Sequence, residues 1–326
     1  MPYLLIIGGL ALLGLGGEAV VRGAVNLAHR LGVSKLLVAI FLVAFATSSP
    51  ELTVAIQSVL QGKPDIAVGN VIGSNIANLL LMLPIGALIL PMACNQHVES
   101  RDLIVMLAVT ALFVWLANDR GTIEYIQGVF FLSALLAYVV FVFIYERVKL
   151  AAVGTLKHNL EIQESMWPKR GALGWLIDFF WLGMGGVALF AGSNLLIDGV
   201  TELALLFGVW EGVIGLTVVA VGTSLPELAT VVVAAWRRHP EIVVGGIIGS
   251  NIFNILAVLG VTALVAPVAI DRAFMVYDMW VMLGATLIVI PFFVSDWRIG
   301  RLEAGLLIVG YLAYVASLYS DLIIVE

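Results

Sequence analysis

Thr47-Ser48-Ser49-Pro50-Glu51, followed by Ile72-Gly73-Ser74-Asn75-Ile76-Ala77-Asn78, returns later as Thr223-Ser224-Leu225-Pro226-Glu227 and Ile248-Gly249-Ser250-Asn251-Ile252-Phe253-Asn254. Both motifs recur at one offset: 227 − 51 = 176 and 254 − 78 = 176. Each copy sets one carboxylate and several side-chain oxygens in an otherwise apolar stretch. A carboxylate inside a membrane span is costly and marks a functional site by default. Two of them at matching positions beside prolines point to a cation site at the midplane of a membrane protein built from internal repeats.

The composition agrees. Of 326 residues, 62% are hydrophobic and 12% charged, against roughly 25% charged in a soluble domain. Such a chain cannot cover itself with polar surface, so lipid is its expected solvent. A net charge of −6 without a basic run argues against nucleic-acid binding. Cys94 is the sole cysteine, which excludes an intrachain disulfide and a cysteine metal site. Met1 to Leu15 is apolar and lacks a basic start, so it reads as the opening of a membrane helix rather than a cleaved leader. No cofactor and no obligate protein partner is expected.

Ten segments are apolar over the roughly 20 residues that a spanning helix needs: 3–29, 36–60, 65–90, 102–118, 124–146, 173–205, 212–236, 241–266, 275–294 and 302–320. This predicts an all-α polytopic membrane protein. Residues 147–172, with Arg147, Lys149, Lys157, Glu161, Glu164, Lys169 and Arg170, form a polar linker between the halves 1–146 and 173–326. The halves also match at Gly23 and Gly199, Asp102 and Asp278, and Tyr138 and Tyr314. Five helices per half is an odd number, so the second half enters the membrane from the opposite side and the two are inverted repeats. With the N-terminus outside, twelve Lys and Arg residues lie at cytoplasmic ends, and only Lys63, Arg120 and Arg272 lie outside. Basic residues favour the cytoplasmic side. Both termini are therefore expected outside and the linker inside.

Pro50 and Pro226 lack the N–H that a helix interior uses, which frees carbonyls near Ala46 and Thr47 and near Gly222 and Thr223. At membrane depth such carbonyls need a partner, and a bound cation would serve. Glu51 and Glu227 lie about fifteen residues into their segments, too deep to reach water. Together they suit one divalent hard cation, or two or three monovalent ones. Thr47, Ser48, Thr223 and Ser224 lie three or four residues before the glutamates, on the same helical side. Ser74 with Asn78, and Ser250 with Asn254, share a face of the following helix. Oxygen donors of these kinds suit Ca²⁺, and the lack of His and Cys argues against zinc, copper and nickel. Gly69 and Gly73, and Gly245 and Gly249, have the spacing that lets helices approach closely. Glu18 and Arg22 read as an ion pair, and Asp102 and Asp278 as helix-dipole caps.

The paired TS-x-PE and GSNI-x-N elements resemble the α-repeats of the sodium/calcium exchanger family, in its short prokaryotic form. The resemblance covers the whole chain. It implies a four-helix ion-binding core, across which helices one and six slide as a pair. It implies Glu51 and Glu227 as central carboxylates, carbonyl ligands from Thr47 and Thr223, and hydroxyl ligands from Ser48, Ser74, Ser224 and Ser250. It adds Ala44 and Ala220 as carbonyl donors to sodium and matches Asn78 and Asn254 to the amide-or-acid positions. The family usually has Gly-Thr-Ser-Leu-Pro-Glu; here the first copy has Ala46 and Ser49 instead of Gly and Leu. Exchangers often carry Asp where this chain has Asn254, so the site keeps two formal charges and no potassium co-transport is expected. The related calcium/proton antiporters carry a GN-x-x-E element that is absent.

The expectation is a Na⁺/Ca²⁺ antiporter of a prokaryotic inner membrane, with Ca²⁺ and Na⁺ as transported ions and the bilayer as surroundings. A Ca²⁺/H⁺ antiporter would use the same glutamates. A channel fits less well, because filters are rings of subunits. No nucleophile–base pair suggests an enzyme.

Overall fold

A computed structural model describes residues 2–93, 98–153, 171–207, 222–294 and 298–323. Among these, eight helices are long and apolar enough to cross a membrane. They are helix 1 (Pro2–Leu31), helix 3 (Pro64–Ile89), helix 4 (Ser100–Arg120), helix 5 (Tyr125–Glu146), helix 6 (Gly174–Leu206), helix 8 (Pro240–Val265), helix 9 (Phe274–Phe292) and helix 10 (Arg301–Leu318). Helix 2 is a further span in two pieces, Lys35–Thr47 and Ser49–Leu60, bent by 44°. Helix 7 is seen as Leu225–Trp236; the earlier part of its expected segment, with Ala220, lies outside the described residues. The fold is that of a multi-pass membrane protein with two inverted halves. Most of the expected linker also lies outside the described residues. Its edges are helical, since helix 5 runs on to Val153 and helix 6 begins at Gly171. Glu, Arg, Lys and Ala, which populate the far edge of helix 5, are strong helix formers, so the helix does not stop where the apolar run stops.

The two-fold relation is visible in individual contacts. Asn75 Nδ2 donates to the carbonyl of Asn251 at 3.4 Å, and Asn251 Nδ2 donates to the carbonyl of Asn75 at 3.4 Å. Met92–Ala93 pairs antiparallel with Arg298–Ile299, and Thr122–Ile123 pairs with Val268–Ala269. Each second contact is the first with both residues replaced by their counterparts in the other half. Reciprocal exchange of that kind requires a two-fold axis between the halves.

Asp102 and Asp278 are not helix caps. Both are buried, and each accepts a hydrogen bond from a tyrosine on the next helix of its own half: Tyr138 Oη to Asp102 at 2.9 Å and Tyr314 Oη to Asp278 at 2.8 Å. Asp102 also takes two bonds from Arg101, at 2.8 and 3.0 Å. The position equivalent to Arg101 is Tyr277, so Asp278 depends more on its tyrosine. Tyr314→Phe is therefore expected to lower stability by about 1–3 kcal/mol, and Tyr138→Phe by less. Thermal denaturation in detergent compares the two.

Helices 1 and 6 pack along a glycine seam. Gly9, Gly16 and Gly23 recur every seven residues on helix 1, and Gly185, Gly192 and Gly199 occupy the counterpart positions on helix 6. A Cβ at Gly16 would lie 2.8 Å from Leu189 N and 2.9 Å from the Gly185 carbonyl. A Cβ at Gly192 would lie 2.9 Å from the Gly9 carbonyl. The two backbones touch, as small residues permit in membranes. Arg30 closes one end of the seam on Asp178 at 2.6 Å. Glu18 pairs with Arg22 as expected, and also with Arg237 at the C-terminal end of helix 7, whose Nε lies 2.9 Å from Glu18 Oε2.

Helices 3 and 8 are innermost: 72% and 89% of their apolar windows are buried, against 11–44% for the other long spans. Helix 8 owes its position to Gly245 and Gly249. A Cβ at Gly245 would lie 2.8 Å from the Leu36 carbonyl, and one at Gly249 only 2.2 Å from the Ile40 carbonyl. Gly69 faces the Phe274 ring, with 3.3 Å from its would-be Cβ. Nothing among the described residues approaches Gly73 within 4 Å; the stretch matching its expected partner lies outside them.

Candidate functional site

The site forms where helices 2 and 7 break. Ser48 and Ser224 have φ/ψ of −87°/7° and −91°/7°, outside helical values, and a new helix starts immediately after each. Pro50 and Pro226 then occupy the first turns, where a missing N–H costs nothing. Glu51 and Glu227 fall in the same first turns, at the positive end of the half-helix. Glu51 is fully buried and Glu227 is 4% exposed.

Ser48 of the first half donates to Glu227 Oε1 of the second at 3.2 Å, so the breaks face across the axis. Thr47 donates to the Ala44 carbonyl at 3.4 Å, and the Ser48 N–H reaches that carbonyl at 2.9 Å. The Ala44 carbonyl is thus engaged within its helix. Thr223 donates to Asn70 Oδ1 at 3.3 Å. Ser224 is buried and caps no backbone group. A small cavity joins Thr47, Glu227, Thr230 and Ser250 beside Gly246.

The carbonyls freed by the prolines are not both left for an ion. The Gly222 carbonyl, four residues before Pro226, accepts a hydrogen bond from Ser193 on helix 6. The counterpart of Ser193 is Gly17, so the first half has no such hydroxyl. Here the ordinary solution to a proline break, a neighbouring Ser, replaces the expected cation contact.

Helices 3 and 8 supply the other wall. Both open into π-helical turns at the second asparagine of the motif, Asn78–Met82 and Asn254–Leu259; such turns often mark functional positions. Asn78 Nδ2 donates to Asn251 Oδ1 at 2.9 Å, and Asn254 Nδ2 donates to Asn75 Oδ1 and Ser74 Oγ, both at 3.0 Å. The amide nitrogens are thereby turned into the protein, which leaves the Oδ1 atoms of Asn78 and Asn254 without partners.

That pattern extends through the site. Among the described residues, eight buried side-chain oxygens have no hydrogen-bond partner; apart from Glu146 Oε1 and Thr262 Oγ1 they are both carboxylate oxygens of Glu51, Glu227 Oε2, Asn78 Oδ1, Asn254 Oδ1 and Ser250 Oγ. These last six belong to residues singled out by the repeated motifs. Buried polar atoms are nearly always paired, and leaving one unmade costs about 1–3 kcal/mol. Six from four short segments converging in one place, all oxygens, form a set of acceptors in which only the Ser250 hydroxyl can also donate. A hard cation is the partner such a set lacks.

Sequence reasoning missed Asn70. It donates to the Glu51 carbonyl at 3.5 Å and accepts from Thr223, linking both helix breaks. It lies one turn before Ser74 and two before Asn78, on the face already read as polar. Thr230, buried beside Glu227, was missed as well; its hydroxyl is taken by the Pro226 carbonyl at 2.9 Å.

Known proteins share this architecture. The family described as sodium/calcium exchanger protein matches residues 1–144 and again 177–320, two stretches displaced by 176 at both ends. The chain is 35% identical to the inner membrane protein YrbG of Escherichia coli, over 97% of this chain and 96% of that one. It is 32% identical to the sodium/calcium exchanger MaX1 of Methanosarcina acetivorans, over 97% and 98%. Among solved structures, the sodium-calcium exchanger NCX_Mj superposes with a TM-score of 0.82 at 27% identity, covering 97% of this chain and 98% of that one. Family match, full-length relatives and superposition agree: the chain belongs to the sodium/calcium exchanger protein family.

Proposed function

We propose that the protein exchanges Na⁺ for Ca²⁺ across a prokaryotic inner membrane by alternating access, with Glu51 and Glu227 as the shared binding carboxylates. The observation that supports this reading is the convergence of six unpartnered oxygens on two buried carboxylates. Ca²⁺ takes about six to eight oxygen ligands in a flexible shell, and two carboxylates neutralise its charge. Glu51, Glu227, Asn78, Asn254 and Ser250 offer those oxygens directly, with Ser74, Ser48, Ser224, Thr47 and Thr223 at the margin; Ala220 completes the proposed set.

Competition supplies the coupling. Two buried like charges are unfavourable until a cation joins them, so the uncharged barrier between the two open states is passed only with ions bound. Na⁺ and Ca²⁺ draw on the same carboxylates, and each expels the other. External termini and a cytoplasmic linker follow from the basic-residue bias.

Proteoliposomes loaded with Na⁺ and supplied with external ⁴⁵Ca²⁺ test this. Rapid uptake that collapses when Na⁺ is replaced by K⁺ or choline is the expected result. Uptake that follows an imposed proton gradient and ignores Na⁺ makes the protein a Ca²⁺/H⁺ antiporter instead. Uptake driven by neither removes calcium as the substrate.

A further inference from the structure

Asn78 and Asn254 can serve a cation only through their oxygens. The two ends of an asparagine amide have nearly the same shape, and only hydrogen-bond partners decide which end faces where. Turned by half a rotation, each would point an NH₂ group at the ion. In both halves the first asparagine of the motif fixes the turn. Asn251 Nδ2 donates to the Asn75 carbonyl at 3.4 Å and to Met106 Sδ at 3.7 Å. Asn75 Nδ2 donates to the Asn251 carbonyl at 3.4 Å and to Met282 Sδ at 3.8 Å. The two methionines are themselves counterparts, since 282 − 106 = 176. Both are fully buried, on helices 4 and 9.

A main-chain carbonyl and a thioether accept hydrogen bonds and cannot donate. The ends of Asn75 and Asn251 that face them are therefore NH₂ groups, with both protons used. Their Oδ1 atoms must point the other way, and there each meets the second asparagine of the opposite half. Asn251 Oδ1 accepts from Asn78 Nδ2 at 2.9 Å, and Asn75 Oδ1 accepts from Asn254 Nδ2 at 3.0 Å. Those bonds commit the nitrogens of Asn78 and Asn254. The oxygens left over are two of the six unpartnered acceptors of the site. Polarity set by carbonyls and thioethers thus passes through helices 3 and 8 to the ion. Asn254 Nδ2 has a second acceptor, Ser74 Oγ at 3.0 Å, whose own proton goes to the Val71 carbonyl at 3.2 Å. Among the described residues, Asn78 Nδ2 has Asn251 alone.

We propose that Asn75 and Asn251 are positioning residues that hold Asn78 and Asn254 with their oxygens toward the cation, and that Met106 and Met282 hold them in turn. This rests on the reading of the unpartnered oxygens as a Ca²⁺ site. It deepens that reading by naming residues that act on the ion through another side chain.

Equilibrium binding of ⁴⁵Ca²⁺ to the full chain in detergent tests this, beside a melting curve. Asn251→Leu fills the space but neither accepts nor donates, and is expected to raise the Ca²⁺ Kd about ten-fold. Asn75→Leu should raise it about three-fold, because Ser74 still holds Asn254. These values span what one neutral hydrogen bond is worth. The deciding readout is a double-mutant cycle with the residue acted upon. Asn251→Leu should add nothing to the Kd of Asn78→Ala, and Asn75→Leu nothing to that of Asn254→Ala. If the central asparagines only lace helices 3 and 8 together, the melting temperature falls while the Kd of the folded protein stays put, or the changes in Kd multiply. Either result overturns the proposal. If Asn251→Leu does not fold, the cycle of Asn75 with Asn254 decides alone. Wild-type protein that binds no Ca²⁺, or Glu51→Gln that binds it as tightly as wild type, removes the cation site and the relay with it. Glu51-dependent binding with multiplying changes removes the relay alone.

Discussion

Glu51→Gln and Glu227→Gln are each expected to reduce Ca²⁺ flux at least 100-fold while the protein stays folded. Glutamine keeps the shape of glutamate and one of its oxygens, but removes the charge. Two carboxylates supply all the formal charge of the motifs, since Asn78 and Asn254 are neutral. Halving that charge in a fully buried site removes several kcal/mol of attraction for a divalent ion, about a factor of ten for every 1.4 kcal/mol. Stability should hold or rise, because a buried carboxylate with no donor, as at Glu51, or with one, as at Glu227, is itself unfavourable. The Gln amide also brings N–H groups to a place rich in unpaired oxygens, including those of Asn78 and Asn254. The measurements are ⁴⁵Ca²⁺ flux beside a melting curve in detergent. Normal flux in both variants would falsify the proposed site.

Gly249→Ala is expected to damage the fold itself. The added methyl would lie 2.2 Å from the Ile40 carbonyl oxygen and 2.6 Å from its Cα. Both are backbone atoms, so no rotamer change relieves the clash, and helix 8 must move away from helix 2. Overpacking of this kind costs about 1–3 kcal/mol and sometimes more. Here it also displaces Ser250 and Asn254, one residue and about one turn further along. A lower melting temperature and weakened flux should appear together. Gly284→Ala is the control: nothing lies within 4 Å of that position among the described residues, and alanine is the better helix former by up to about 1 kcal/mol. Equal melting temperatures for the two variants would refute the close packing of helices 2 and 8.

Much of this was legible before any coordinates, because the repeat supplied two independent readings of each feature. The duplicated motif located the glutamates and put a helix break beside each at Pro50 and Pro226; the structure sets the breaks at Ser48 and Ser224, with the prolines in the first turn of the next helix. What escaped lay between helices. Asp102 and Asp278 sat near the starts of apolar segments and were read as caps; their tyrosine partners, 36 residues on, become visible only when helices 5 and 10 bring Tyr138 and Tyr314 beside them. The Gly222 carbonyl was given to a cation rather than to a Ser or Thr because Pro226 stands beside Glu227, whereas Ser193 arrives from helix 6. The role of Asn75 and Asn251 depends on the axis that passes between them. Asn70 was recoverable in principle: it is a polar residue on the Ser74–Asn78 face, and it breaks the repeat, with Gly246 opposite. Where two copies of a motif differ, the difference carries information that their agreement cannot.

The seam of glycines between helices 1 and 6 has a consequence for assembly. Gly9, Gly16 and Gly23 meet the counterparts of their own neighbours, as do Asn75 and Asn251 at the centre and the short strand pairs at the edges. A chain of half this length could make every one of these contacts with an upside-down copy of itself. Joined in one polypeptide, the halves meet at an effective concentration set by the tether rather than by expression level. The join also removes any need for the two copies to be alike. It is what frees position 70 to be asparagine while position 246 is glycine.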